Sequence, residues 1–131
     1  MPRTTAQVFD DHLSRAEQGD VEGDIAANFA SDCTPLTSYG RFYGHEGVRA
    51  AAALLARQLP DAVYHYRHRS VAGEIAFLER SAAGNGVRVH DGADSFLCRD
   101  GRIRVMTIHY TVEYTSSASV RAISTNPPTT A

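Results

Sequence analysis

Lysine and tryptophan are absent from the 131 residues, and all thirteen basic side chains are arginines. Because that bias accords with GC-rich coding, it receives no functional weight. Against fifteen acidic residues the formal net charge is -2, so there is no broad positive footprint for DNA, RNA or an anionic membrane surface. The two cysteines, Cys33 and Cys98, form neither a C-x-x-C pair nor the dense set of a disulfide scaffold, which predicts a reducing, cytoplasmic setting. No apolar run approaches the ~20 residues of a membrane span, and Met1-Pro2-Arg3-Thr4-Thr5 lacks the apolar core of a signal peptide. There is no Gly-rich phosphate loop, Gly-x-Ser-x-Gly elbow or Cys-His nucleophile pattern, leaving covalent catalysis without a candidate. Histidines at metal-ligand spacing on a helix are also missing, so neither a metal nor a cofactor is expected.

What is present is an ordered succession of helices and then strands, in a chain long enough to bury a core without disulfides or metal. Phe9, Leu13 and Ala16 recur at helical spacing, with Thr4 or Thr5 placed to cap a first helix from Thr5 to Gln18 and Gly19 to end it. Asp20 suits the N-cap of a short second helix ending near Ser31, in which Ile25 and Phe29 face one way. An extended segment is predicted from Thr34 to Tyr39, and a third helix from Glu46 to Leu59 with Pro60 beyond it. Ala62 to Val71, Glu74 to Ser81, Val87 to Cys98 and Arg102 to Tyr114 are strand-like, and the short Gly-containing gaps between them imply antiparallel hairpins. This order predicts an α+β fold with helices on one face of a sheet. Residues 115–131 are rich in Ser, Thr, Ala and Pro and are expected to form a loose tail after a single domain spanning 1–114.

The strand ending at Asp100-Gly101 carries an unexpected carboxyl group. Asp94 shares a face with Gly92, Phe96 and Cys98, which points it toward an apolar interior. There it must either find a partner or hold a proton.

Gly19-Asp20 between the first helices, Phe29-Ala30 before the first strand, Gly44-His45-Glu46-Gly47-Val48 opening the third helix and Arg99-Asp100-Gly101-Arg102-Ile103 at the last hairpin set a pattern. Over about residues 6 to 114 the chain resembles the nuclear transport factor 2-like superfamily, within it the SnoaL-like and ketosteroid-isomerase-like branch. The resemblance implies a strongly curved antiparallel sheet wrapped around three helices, a ligand cavity on the concave side and a homodimer joined through the outer sheet face. It also places Asp94 where ketosteroid isomerases carry a protonated aspartic acid that donates to the substrate oxyanion. The isomerase's oxyanion tyrosine corresponds to His12, and its general-base aspartate to about Thr37 or Ser38. Conventional steroid isomerisation is thus not expected.

Candidate chemistry rests on these positions. His12 lies on the apolar stripe of the first helix and can serve as acid or base near neutrality; the alternative is a hydrogen-bonded core histidine. By family register, the face carrying Phe77, Glu79 and Ser81 looks into the cavity, making Glu79 a second carboxylate beside Asp94. The alternative turns Glu79 to solvent or pairs it with Arg80, Arg88 or Arg104. His90 falls on the face of Asp94 by simple alternation but lies near a hairpin end. Tyr64, Tyr66 and His68 share one face of their strand, with His65, Arg67 and Arg69 on the other. Met106, Ile108 and Tyr110 are assigned to the cavity wall by the same family comparison. The expected activity is acid–base catalysis on a largely apolar carbonyl or hydroxyl compound by an isomerase, cyclase, dehydratase or hydrolase. Its catalytic residues would be Asp94, His12 and Glu79, with Phe77, Ser81, His90, Met106, Ile108 and Tyr110 as ligand contacts. The alternative is a non-enzymatic ligand-binding or dimerisation module of the same fold.

Overall fold

In the computed structural model, which describes residues 2–115, the element order is α1 (Thr5–Glu17), α2 (Val21–Asn28), β1 (Phe29–Thr37), β2 (Gly40–Arg41) and α3 (Gly44–Gln58). The strands β3 (Val63–Ala72), β4 (Ile75–Ala83), β5 (Val87–Arg99), β6 (Arg102–His109) and β7 (Glu113–Tyr114) complete the chain order. The sheet runs β2-β1-β6-β5-β4-β3, with β7 paired to β5. All pairings are antiparallel except β1 with β6. The expected α+β architecture, three helices against a strongly curved and mostly antiparallel sheet, is present. Apart from Thr115, the predicted tail at 115–131 lies outside the described residues. No described helix is long and apolar enough to cross a membrane.

Local signals explain the boundaries. Thr4 caps α1 through a reciprocal box in which its hydroxyl accepts from Gln7 N–H and Gln7 Oε1 accepts from Thr4 N–H. Asp20 accepts from Gly23 N–H at the start of α2. Asp100 and Gly101 both take positive φ, 55° and 74°, as a two-residue hairpin with the twist of its strands requires. Phe29, expected inside the second helix, instead opens β1, where its aromatic side chain is buried on the sheet. The strand expected to run unbroken from Arg102 to Tyr114 divides into β6 and β7. The Asp91 carboxylate accepts from Thr111 N–H at 2.8 Å and from its hydroxyl at 2.7 Å, diverting that backbone from the ladder.

Among the described residues, β1 is irregular against β6 between Phe29 and Thr34, and single-residue bulges in three further strands decide which of their side chains face inward. β3 carries one extra residue at Arg67, β5 one extra within His90–Asp91, and β6 one extra at Arg104. Each insertion bends its strand and reverses the facing of the residues beyond it. Val87 and Val89 are therefore buried on the same side as Gly92, Asp94, Phe96 and Cys98, although their sequence parity differs. Ile103 and Met106 likewise both point inward. Among the described residues the interior has two apolar clusters. One is built on Phe9, Leu13, Ile25, Phe29, Leu78, Phe96 and Ile103, the other on Leu59, Ala82, Val87, Val89, Tyr110 and Val112.

Candidate functional site

A cavity of about 480 Å³ opens between the helices and the inner sheet face, lined from both clusters. α3 supplies one apolar wall through Val48, Ala52, Leu55 and neighbours. Few α3 side chains are fully buried because its apolar stripe borders this space. Met106, Ile108 and Tyr110 line the opposite side, as do Tyr64, Tyr66 and Leu78.

Glu17, Gln18 and Asp61 on the lining are exposed and Asp20 is half-buried, whereas the buried charged groups are concentrated in two pairs. Asp94 and Arg80 are each 4 % exposed and both line the cavity. Arg80 donates from Nε to Asp94 Oδ2 at 3.0 Å and from Nη2 to Oδ1 at 3.3 Å. Its guanidinium packs over the rings of Tyr64 and Tyr110, with Cζ 5.6 Å and 5.7 Å from the ring centroids. Burial pushes the Asp94 carboxyl above its ordinary value, and the Arg80 charge and hydrogen bonds pull the other way. Arg80 is raised despite its own burial, since Asp94 favours the cation, and a guanidinium stays charged throughout the accessible pH range. The site is thus a fixed cation holding a carboxyl group whose proton affinity is increased by its surroundings. Burial also pushes the phenols of Tyr66 and Tyr110 up to about 12 and raises that of Tyr64, so all three are neutral at physiological pH.

Gly92 makes this pair possible. A Cβ there would lie 2.7 Å from both Cγ and the carbonyl oxygen of Arg80, its direct partner across the β4–β5 ladder.

His12, 7 % exposed, also lines the cavity. Its Nδ1 lies 2.7 Å from Asp24 Oδ2, and Asn28 donates to Asp24 Oδ1 at 2.8 Å and to Asp11 Oδ2 at 2.8 Å. With a carboxylate as acceptor, Nδ1 carries the proton and a neutral imidazole keeps a lone pair on Nε2. The ring is fixed by edge contacts with Phe29 and Phe96, centroids 5.6 Å and 5.2 Å away.

The remaining sequence candidates lie elsewhere, and the face assigned to β4 is corrected. Ala76, Leu78, Arg80 and Ala82 are its buried face; Phe77, Glu79 and Ser81 are on the outer one, with Glu79 exposed. Phe77 meets His68 there, centroids 6.3 Å apart, because the Arg67 bulge turns His68 outward while Tyr64 and Tyr66 stay inside. His90 is exposed, displaced to the outer side by the β5 bulge, with Nε2 3.7 Å from Glu113. Thr37 lines the cavity, but its hydroxyl donates to Gly40 O and accepts from Tyr39 N–H in the β1–β2 turn. Sequence reasoning did not place Arg80 or Asp24 in the site. Asp24 was signalled by its position four residues before Asn28 on the inward stripe of α2. Among the described residues no three His, Cys, Asp or Glu side chains converge as metal ligands.

A curved sheet enclosing a cavity against three helices defines the nuclear transport factor 2-like class. An NTF-2-like protein of unknown function from Burkholderia xenovorans superposes with TM-score 0.67 at 16% identity, covering 90% of this chain and 91% of that one. The chain belongs to the SnoaL-like domain family, whose model matches residues 9–106. A candidate polyketide cyclase from Sinorhizobium meliloti is similar at 18% identity and TM-score 0.66, covering 78% of this chain and 93% of that one. An LEH-like epoxide hydrolase from M. tuberculosis is similar at 20% identity and TM-score 0.60, covering 83% and 85%. At these identities the likeness establishes the shared fold. A comparison with curated proteins finds no match.

Proposed function

We propose that the protein is an acid–base enzyme acting on a small, largely apolar molecule with a carbonyl, epoxide or hydroxyl oxygen. The observation that carries this reading is the buried Asp94–Arg80 pair in the wall of an otherwise mainly apolar cavity that also holds the His12–Asp24 pair. A volume of about 480 Å³ is within the ~300–1,000 Å³ range of small-molecule sites. A carboxyl group whose pKa is raised by burial is better matched to proton transfer near neutrality than an exposed one. Asp94 exchanges a proton with the substrate or with an attacking water, and His12, oriented by Asp24, provides a second proton-transfer group through Nε2. Ring closure of a polyketide and water addition to an epoxide, the reactions named for the two relatives, both use such groups in a mainly apolar pocket. Isomerase or dehydratase chemistry would use the same set.

The test is a panel of epoxides and cyclic ketones assayed for water addition and for deuterium exchange at the α-carbon. Turnover by the wild type that falls about 10²–10⁴-fold in Asp94→Asn supports the reading. Binding without turnover across the panel favours a non-enzymatic binding module. Within the same proposal the protein is a cytoplasmic homodimer joined through the outer sheet face that carries Phe77, Glu79 and Ser81. A monomer by light scattering contradicts the dimer.

A further inference from the structure

We infer that Arg80 is the residue that anchors the substrate, through its third nitrogen, and that the ligand it selects is uncharged, with one hydrogen-bond-accepting oxygen on an apolar body. This deepens the cavity-enzyme reading and rests on it for the identity of the pocket. A guanidinium that meets a carboxylate through Nε and Nη2 turns its Nη1 edge away from that carboxylate. In this protein Nη1 is buried and has no hydrogen-bond partner among the described residues, while the side chain that carries it lines the cavity. An unpaired buried donor on a cation is an unfavourable arrangement that an incoming oxygen relieves. The Tyr64 and Tyr110 rings hold the guanidinium where it is, and Gly92 leaves the space in which its stem passes.

Charge defines the ligand class. Asp94 already neutralises the Arg80 cation, and Asp24, Glu17, Asp20 and Asp61 are further acids on the same cavity lining. A ligand carboxylate or phosphate would bring a further anion into this small apolar space with no unpaired cation to receive it. A ketone, epoxide or alcohol oxygen accepts from Nη1 without that conflict, and the remainder of the molecule lies against Leu55, Met106 and Ile108. Arg80 then also stabilises negative charge that develops on the same oxygen while Asp94 moves a proton beside it.

Three probes of nearly one shape separate these terms: 2-acetylnaphthalene, its alkene isostere 2-isopropenylnaphthalene, and 2-naphthoate, each measured by equilibrium dialysis. The wild type is expected to bind the ketone about tenfold or more tighter than the alkene, with 2-naphthoate weakest. Asp94→Asn keeps Arg80 and keeps the ketone preference. Arg80→Met loses it, and the double variant Arg80→Met/Asp94→Leu, which leaves no lone buried charge to prevent folding, loses it as well. Equal binding of ketone and alkene by the wild type, tighter binding of 2-naphthoate than of the ketone, or no binding of the ketone at millimolar concentration each overturns the inference. So does a ketone preference that persists in the double variant. These are binding readouts, so their failure is distinguishable from a failure of Asp94→Asn to lower turnover, which bears on the enzymatic reading alone.

Discussion

Arg80 meets Asp94 diagonally across the β4–β5 ladder, where Arg80 pairs directly with Gly92 and Leu78 with Asp94. Two hydrogen bonds at 3.0 Å and 3.3 Å join them, and each residue is almost wholly buried. One strand thus supplies the cation, and its neighbour supplies both the acid and the glycine that makes room for the cation. The site depends on the sheet's register before it depends on any loop.

The first prediction concerns the pair itself. Arg80→Met strands a buried carboxyl group and is expected to lower the unfolding free energy by about 3–5 kcal/mol, whereas replacing both residues, as in Arg80→Met/Asp94→Leu, restores most of that loss. Urea unfolding of the single and double variants checks this. Equal destabilisation by both would show that the loss is one of packing and not of stranded charge.

Gly92→Ala is expected to cost about 1–3 kcal/mol, because the new methyl group collides with the Arg80 stem and carbonyl oxygen and one strand must shift. The side-chain Nε–H resonance of Arg80 should move in the same variant. An unchanged resonance and unchanged stability would mean that the strands separate without strain.

Stability should carry a pH signature of Asp94. Its folded-state pKa is raised above 3.8, chiefly by burial. The folded protein therefore keeps this proton after the unfolded chain has lost it. Its contribution is fully present below about pH 4 and declines as pH rises toward the folded value. The unfolding free energy of the wild type minus that of Asp94→Asn should accordingly fall as pH increases from about 4. A difference that rises over this range would mean that Arg80 outweighs burial and holds the carboxyl below its ordinary value.

Both cysteines should be silent in the native protein. Burial pushes Cys98 up to about 11 and raises Cys33, and both are packed in the larger apolar cluster. A thiol reagent at pH 8 should modify neither until denaturant is added, at a rate set by opening of the core. Prompt labelling of either would show that the cluster opens locally.

Much of the fold was legible because its signals are local. Asp100-Gly101 at the hairpin, Thr4 and Asp20 at helix starts and the apolar stripe of α3 each act through nearby residues. Inward facing was not equally legible, since it depends on pairing between strands. The extra residue at His90–Asp91 reverses alternation within β5, and simple parity places His90 beside Asp94 when it is outside. On β4 the inward face holds an arginine, which looks solvent-facing until its partner fourteen residues later is seen to be buried with it. Family register places Phe77, Glu79 and Ser81 inward, and the Arg80 charge gives no local sign that the Ala76-Leu78-Arg80-Ala82 face is the buried one. Asp94 itself was legible as a carboxyl group on an apolar face; Arg80, which holds it, was not.

The most direct test compares two acids that the sequence alone cannot rank. On whichever epoxide or ketone the wild type turns over, the rates of Asp94→Asn and Glu79→Gln are measured with both proteins shown to be folded. A buried catalytic Asp94 and an outward Glu79 predict a fall of about 100-fold or more for Asp94→Asn and wild-type rates for Glu79→Gln. A folded Asp94→Asn that retains its rate, or a Glu79→Gln that loses as much, would contradict both assignments.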